Sequence, residues 1–197
     1  MPELNQAKSD NTHKQGTLRW LWITVFVVIA DLYTKSLATQ LLEFAQPVKI
    51  FPFFNFTLLH NTGAAFSFLS DAGGWQRWFF TAIASVTVII LLVWMWRIPK
   101  TDRWVAISLA LIMGGAIGNV YDRITLGYVV DFLHFHWKDA YFPAFNIADS
   151  AITVGAIMMG IDVLFFEDSK ASDDENSDEA CSDNKESNEN NDREKNV

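Results

Sequence analysis

Residues 78–96, WFFTAIASVTVIILLVWMW, and residues 104–121, WVAISLALIMGGAIGNVY, run for 19 and 18 positions without a charged side chain. A helix needs roughly 20 mostly apolar residues to cross the hydrocarbon core of a bilayer, and both stretches meet that length. Working outward, two further segments qualify. One runs from Trp20 to about Leu42 and is interrupted by Asp31 and Lys35; the other runs from about Ala148 to Phe166. Trp20, Trp78, Trp94, Trp96, Trp104 and Tyr121 stand near the segment ends, where amphipathic rings anchor a helix at the membrane–water interface. The first segment continues through its charged pair without a small-x-small cleavage site, which reads as a retained helix and not a cleaved leader. The expected fold class is an all-α polytopic membrane protein with four transmembrane helices.

The charge distribution agrees. Of 197 residues, 50% are hydrophobic, yet the formal net charge is −8. From Glu167 onward there are 12 acidic and 4 basic side chains, the whole of that charge, whereas residues 1–166 carry 11 of each. The expected organisation is a cytoplasmic N-terminal segment, 1–19, a membrane domain, 20–166, and a disordered acidic cytoplasmic tail, 167–197, rich in Ser, Asn, Asp and Glu. No basic cluster is present to neutralise phosphates, which excludes a nucleic-acid partner. The single cysteine, Cys181, falls in the tail; this excludes an intramolecular disulfide and a cysteine-based zinc site.

Lys8, Lys14 and Arg19 precede the first helix, and Arg97, Lys100 and Arg103 join the second to the third. The opposite connections hold Lys49, Arg77, Arg123 and Lys138 over much longer stretches. This bias places both termini in the cytoplasm. The outer connections are β-branched and aromatic over residues 48–60, where Pro52 marks an edge or irregular strand, and over Tyr128–Trp137. A small extracytoplasmic β-sheet resting on the membrane face is expected, followed by a short interfacial helix near residues 63–70.

The polar residues of the spans converge in this topology. Asp31 and Lys35, Asn119, Asp122 and Arg123, Asp131, and Asn146 and Asp149 all fall toward the outer face, with Asn61 in the first outer loop. Ionisable groups within spans cost roughly 2.5–3.5 kcal/mol each on insertion scales and mark functional sites. Structural roles compete for each. Asp31 and Lys35 have the i,i+4 order of an intrahelical ion pair, and Asp122 beside Arg123 reads as a local charge pair. Gly114-x-x-x-Gly118, Ala151-x-x-x-Gly155 and Ala156-x-x-x-Gly160 read as close helix packing. His134 and His136 share a strand face that suits a metal, but no third ligand stands at motif spacing, so no metal is expected. Serine hydrolysis lacks a G-x-S-x-G, and zinc hydrolysis lacks an H-E-x-x-H. What remains is a pair of carboxylates sharing a proton, one activating water while the other polarises a carbonyl. Asp149 is one member; for its partner these arguments leave Asp122 and Asp131 open, with Asp31 less suited.

Five blocks extend the reading: Asp31-x-x-x-Lys35, Asn61-Thr-Gly-Ala-Ala-Phe66, Gly114-Gly-Ala-Ile-Gly-Asn-Val-Tyr-Asp-Arg123, Gly127-Tyr-Val-Val-Asp-Phe132 and Phe145-Asn-Ile-Ala-Asp-Ser150. In this order they resemble the lipoprotein signal peptidases (signal peptidase II), membrane aspartyl peptidases, over roughly residues 18–166. The resemblance implies Asp131 and Asp149 as the catalytic pair. It implies substrate-binding or orienting roles for Asn61, Arg123, Asn119 and Asn146, and structural support from Asp31, Lys35, Gly63 and Asp122. It further implies diacylglyceryl-modified prolipoproteins as substrates, membrane lipid around the chain, globomycin-type inhibitors as ligands, no cofactor, a monomer, and a site near the outer face of the bacterial inner membrane. The competing class is a small four-helix transporter or scaffold whose buried aspartates bind a cation or relay protons.

Overall fold

A computed structural model describes residues 17–63, 75–138 and 140–165. The chain through Met158 forms one compact unit. A second begins at Met159, and its described part is the end of the last helix, residues 159–165. The expected interfacial helix near residues 63–70, most of the N-terminal segment and the tail lie outside the described residues.

Four helices long and apolar enough to cross a membrane are present. After a single 3-10 turn, Leu18–Trp20, α1 is Leu21–Leu41, α2 is Trp75–Arg97, α3 is Arg103–Thr125 and α4 is Ile147–Phe165. The second and third extend a few residues beyond the uncharged runs, taking in Arg77, Asp122 and Arg123. Charged side chains do not end a helix whose backbone hydrogen bonds continue; α3 stops instead at Gly127. That residue has φ +90°, and its N–H reaches back to the Asp122 carbonyl at 3.2 Å, the left-handed cap that glycine adopts without strain.

The helix α3 is the centre of the bundle. Most of it is buried, from Val105 through Asp122, whereas α1, α2 and α4 bury only narrow stripes. In α1 the buried positions are Thr24, Val27, Asp31, Lys35 and Ala38, the three-and-four spacing of one helical face. The outer helices expose Trp22, Phe26, Ile29, Ile89, Ile90, Ile157 and Leu164, a pattern that suits a lipid solvent and not water.

Small residues set the closeness of the packing. A Cβ on Gly114 would lie 2.7 Å from the Val27 Cβ, and one on Gly115 would overlap the Ala148 carbonyl. At Gly118 it would meet Asp31 Oδ2 at 2.5 Å, and at Gly155 it would meet the Ser108 carbonyl at 2.8 Å. Hydroxyls add bonds across helices, Thr17 Oγ1 to the Met95 carbonyl at 2.6 Å and Thr24 Oγ1 to the Ala110 carbonyl at 2.9 Å, since unpaired backbone acceptors are costly in lipid.

The α1–α2 and α3–α4 connections supply one antiparallel sheet in the order β1-β2-β3-β4. Its strands are Val48–Phe51, Phe54–Asn61, Val129–Trp137 and Ala140–Tyr141. Residues 48–60 are thus a hairpin and not one irregular strand: Pro52 and Phe53 form the turn, because proline offers no N–H to a ladder. Leu59 pairs with Asp131 across β2 and β3. Beyond β4 the chain returns to β3, where Phe145 and Leu133 exchange backbone hydrogen bonds of 2.9 and 3.0 Å. That bridge delivers the start of α4 to the strand carrying Asp131.

Gly115→Ala is expected to destabilise the protein by about 1–3 kcal/mol through overpacking, read as a lower thermal midpoint in detergent.

Candidate active site

The polar residues of α1, α3, β2, β3 and the start of α4 form one connected network. Its base is Lys35, only 3% exposed. The Lys35 ammonium lies 2.7 Å from Asp31 Oδ2, 3.0 Å from Asp122 Oδ2 and 3.0 Å from Asn119 Oδ1. The ammonium thus hydrogen-bonds the Asn119 oxygen and forms ion pairs with two carboxylates. The Asp31–Lys35 pair read from the i,i+4 spacing is present, but the partner expected for Asp122 is corrected. Asp122 turns inward to Lys35 and also accepts from the Val130 N–H at 3.1 Å. Its neighbour Arg123 bonds the Asn119 carbonyl at 3.3 Å through Nη1 and lies over the Phe80 ring, 5.7 Å from its centroid. Successive helix residues point about 100° apart, so adjacent Asp and Arg do not face each other.

The start of α4 is capped by side chains. Asn146 Oδ1 accepts from the Asp149 N–H at 2.9 Å, and Asp149 Oδ2 accepts from the Asn146 N–H at 3.4 Å. This is a reciprocal capping box, with Asp149 in the first turn where the helix dipole favours negative charge. Asp31 Oδ1, from α1, accepts the next free donor, the Ala148 N–H, at 2.9 Å.

Asp131 and Asp149 meet through amides. Asn146 Nδ2 donates to Asp131 Oδ1 at 2.7 Å and to the Val130 carbonyl at 3.2 Å. Asn119 Nδ2 donates to Asp149 Oδ1 at 2.7 Å, and Asn61 Nδ2 donates to Asp131 Oδ2 at 3.0 Å. Gly63 holds Asn61 in place: its N–H donates to Asn61 Oδ1 at 2.9 Å, and its φ of +93° and the Phe80 ring leave no room for a side chain. Asp131 is 2% exposed, whereas Asp149 is half-buried. Burial first and the charge of Asp149 second push the Asp131 carboxyl up to about 7. The geometry thus groups all ten residues named from the sequence, and Asn146 bonds the Asp131 carboxylate through its side chain and the Asp149 carboxylate through its backbone N–H.

Three contributions were missed in the sequence. Asp31 caps α4 across 117 positions, a contact with no local signal. The Asn146-x-x-Asp149 spacing did carry a capping-box signal. On α2, Arg77 bonds the Ile124 carbonyl at 2.8 Å and Phe80 underlies both Gly63 and Arg123. Of the histidine pair, His134 Nδ1 lies 3.3 Å from Thr57 Oγ1, and both rings pack on Tyr141.

Residues 23–165 match the family described as Signal peptidase (SPase) II. The lipoprotein signal peptidase of Acinetobacter baylyi is 50% identical over 167 residues, which cover 85% of this chain and 93% of its own length. That of Acinetobacter baumannii is 53% identical, covering 85% and 95%. A solved bacterial membrane enzyme, determined by the in meso method at 2.3 Å, shares 32% identity and a TM-score of 0.67 over 78% of this chain and 93% of its own.

Lys35→Met leaves two buried carboxylates without their cation and is expected to cost about 3–5 kcal/mol, measured by thermal unfolding in detergent. Adding Asp31→Asn, which keeps an acceptor for the Ala148 N–H, should recover part of that loss.

Proposed function

We propose a reaction for this chain, which belongs to the signal peptidase II family and is an aspartic peptidase: it removes the signal peptide from bacterial prolipoproteins, cutting the bond just before a cysteine that already carries diacylglycerol. The observation that carries this reading is the Asp131–Asp149 pair, bridged by Asn146 and placed where β3 meets the start of a membrane helix. In this pair the enclosed Asp131 carboxyl, pushed up to about 7 by burial and the neighbouring charge, is the proton holder. The ionised carboxylate takes a proton from water, whose oxygen adds to the scissile carbonyl carbon, while the protonated carboxyl hydrogen-bonds the oxygen that becomes negative. Collapse of the tetrahedral intermediate breaks the C–N bond, and the proton taken from water passes to the departing amine of the lipidated cysteine. The other product is a signal peptide ending in a new carboxylate.

Asn61 and Arg123 are suited to hold the substrate backbone, since each carries more N–H donors than it uses among the described residues and both flank the pair. Asn119 and Asn146 orient the carboxylates, and Asp31, Lys35, Gly63 and Asp122 hold the frame. The apolar signal helix would lie against the bundle with the lipid chains in the bilayer. The protein is a multi-pass membrane protein; the loop charges favour both termini in the cytoplasm, with the site near the outer face of the inner membrane. Exposed Phe53, Trp137 and Phe142 on the sheet support its resting at that interface. The reading also takes the working enzyme as a monomer without cofactor and its groove as the site of globomycin-type inhibitors.

Purified protein in detergent should cleave a diacylglyceryl-modified prolipoprotein, and Asp131→Asn or Asp149→Asn should each lower kcat by about 10³-fold or more. Retained cleavage in Asp131→Asn but loss in Asp122→Asn would show the pair to be wrong, and no cleavage by folded wild type would return the protein to the transporter or scaffold class. The pH dependence has a definite sign. Asp131 keeps its proton below about 7 and loses it above, so kcat/KM should fall about tenfold per pH unit on the alkaline side.

A further inference from the structure

Lys35 touches neither carboxylate of the pair, yet one amide separates its ammonium from Asp149. An ammonium has donors and no acceptor, so the atom that Asn119 turns toward it must be oxygen. That oxygen also accepts from Asn146 Nδ2 at 3.3 Å. The Asn119 nitrogen is therefore aimed at Asp149 Oδ1, 2.7 Å away, and an amide nitrogen only donates. Were the amide to rotate, its oxygen would face Asp149 and select the protonated acid. We propose that Lys35 is a positioning residue for the cleavage reaction: by locking the Asn119 amide it holds Asp149 as the ionised, water-activating member of the pair. This rests on the peptidase reading above and adds to it the part that Lys35 plays, with Asp149 the base and Asp131 the proton holder.

The surroundings agree. Asp149 is half-buried at a helix N-terminus, whereas Asp131 is enclosed. The charged groups that act on Asp149 are Asp131 on β3 and Arg123 on α3, and Lys35 on α1 also acts on Asp131 through its charge. On α2, Arg77 is engaged with the Ile124 carbonyl.

The test compares full-length wild type with Lys35→Met/Asp31→Asn, which removes one charge of each sign and keeps an acceptor for the Ala148 N–H. Cleavage of a diacylglyceryl-modified prolipoprotein is followed from pH 4 to 9, with thermal unfolding as the check on folding. The expected result is a variant-to-wild-type ratio of kcat that falls as pH falls, the acid limb moving up by about one unit, with KM within about twofold. Asn119→Ala leaves all three buried charges paired and should show the same trend; combining it with the double variant should shift the limb no further. A ratio independent of pH in either variant, whatever its size, overturns the positioning role while leaving the peptidase in place. Wild type that does not cleave removes both.

Discussion

One ammonium with three acceptors organises this molecule. Lys35 binds Asp31 on its own helix and Asp122 and Asn119 on α3. Taken singly, each charge would be expensive in a low-dielectric interior. Together they offset one another, and both carboxylates also accept a backbone N–H: Asp31 takes that of Ala148 on its other oxygen, Oδ1, and Asp122 takes that of Val130 on the same Oδ2 that faces the ammonium. These two bonds reach the start of α4 and the start of β3, the elements that carry Asp149 and Asp131. The network that neutralises charge within the bundle is therefore the one that aims the chemistry.

Solvent sets the rest. A bundle that buries α3 and leaves α1, α2 and α4 lined with exposed isoleucine, phenylalanine and tryptophan gains nothing from helix contact that lipid does not already supply. Stability has to come from close approach and cross-helix hydrogen bonds, and the glycines facing Val27, Asp31 and Ala148 provide the first. At Gly118 the two requirements coincide, because a side chain there would displace the carboxylate that caps α4.

Much of this was legible from residues alone, for identifiable reasons. Uncharged runs as long as 78–96 admit one interpretation in a bilayer, and polar residues that a span cannot afford idly point to a site. The Asp31–Lys35 pair is local and was visible in its spacing. The partner of Asp122 was not, because a helix turns neighbours apart while the tertiary fold brings Lys35 to it. That Asp131 stands beside the start of α4 likewise depends on the Phe145–Leu133 bridge, which joins strand to helix through backbone atoms that carry no sequence signature. The residue resemblance supplied what spacing could not. Pro52 was seen as a disruption of a strand, but that it makes a turn follows only once β1 and β2 are paired.

The cap that Asp31 places on Ala148 spans 117 residues, and this bears on how the protein is made. At roughly 5–20 residues per second, synthesis of that interval takes on the order of ten seconds. During that time α1 enters the membrane before Asp122 or α4 has been synthesised. The intrahelical order of Asp31 and Lys35 means that the helix inserts with its two charges already cancelling each other. The ammonium then meets its later partners as they emerge, and Asp131 comes beside Asp149 only with the final helix, so an unfinished chain holds the parts of the polar network without its assembly.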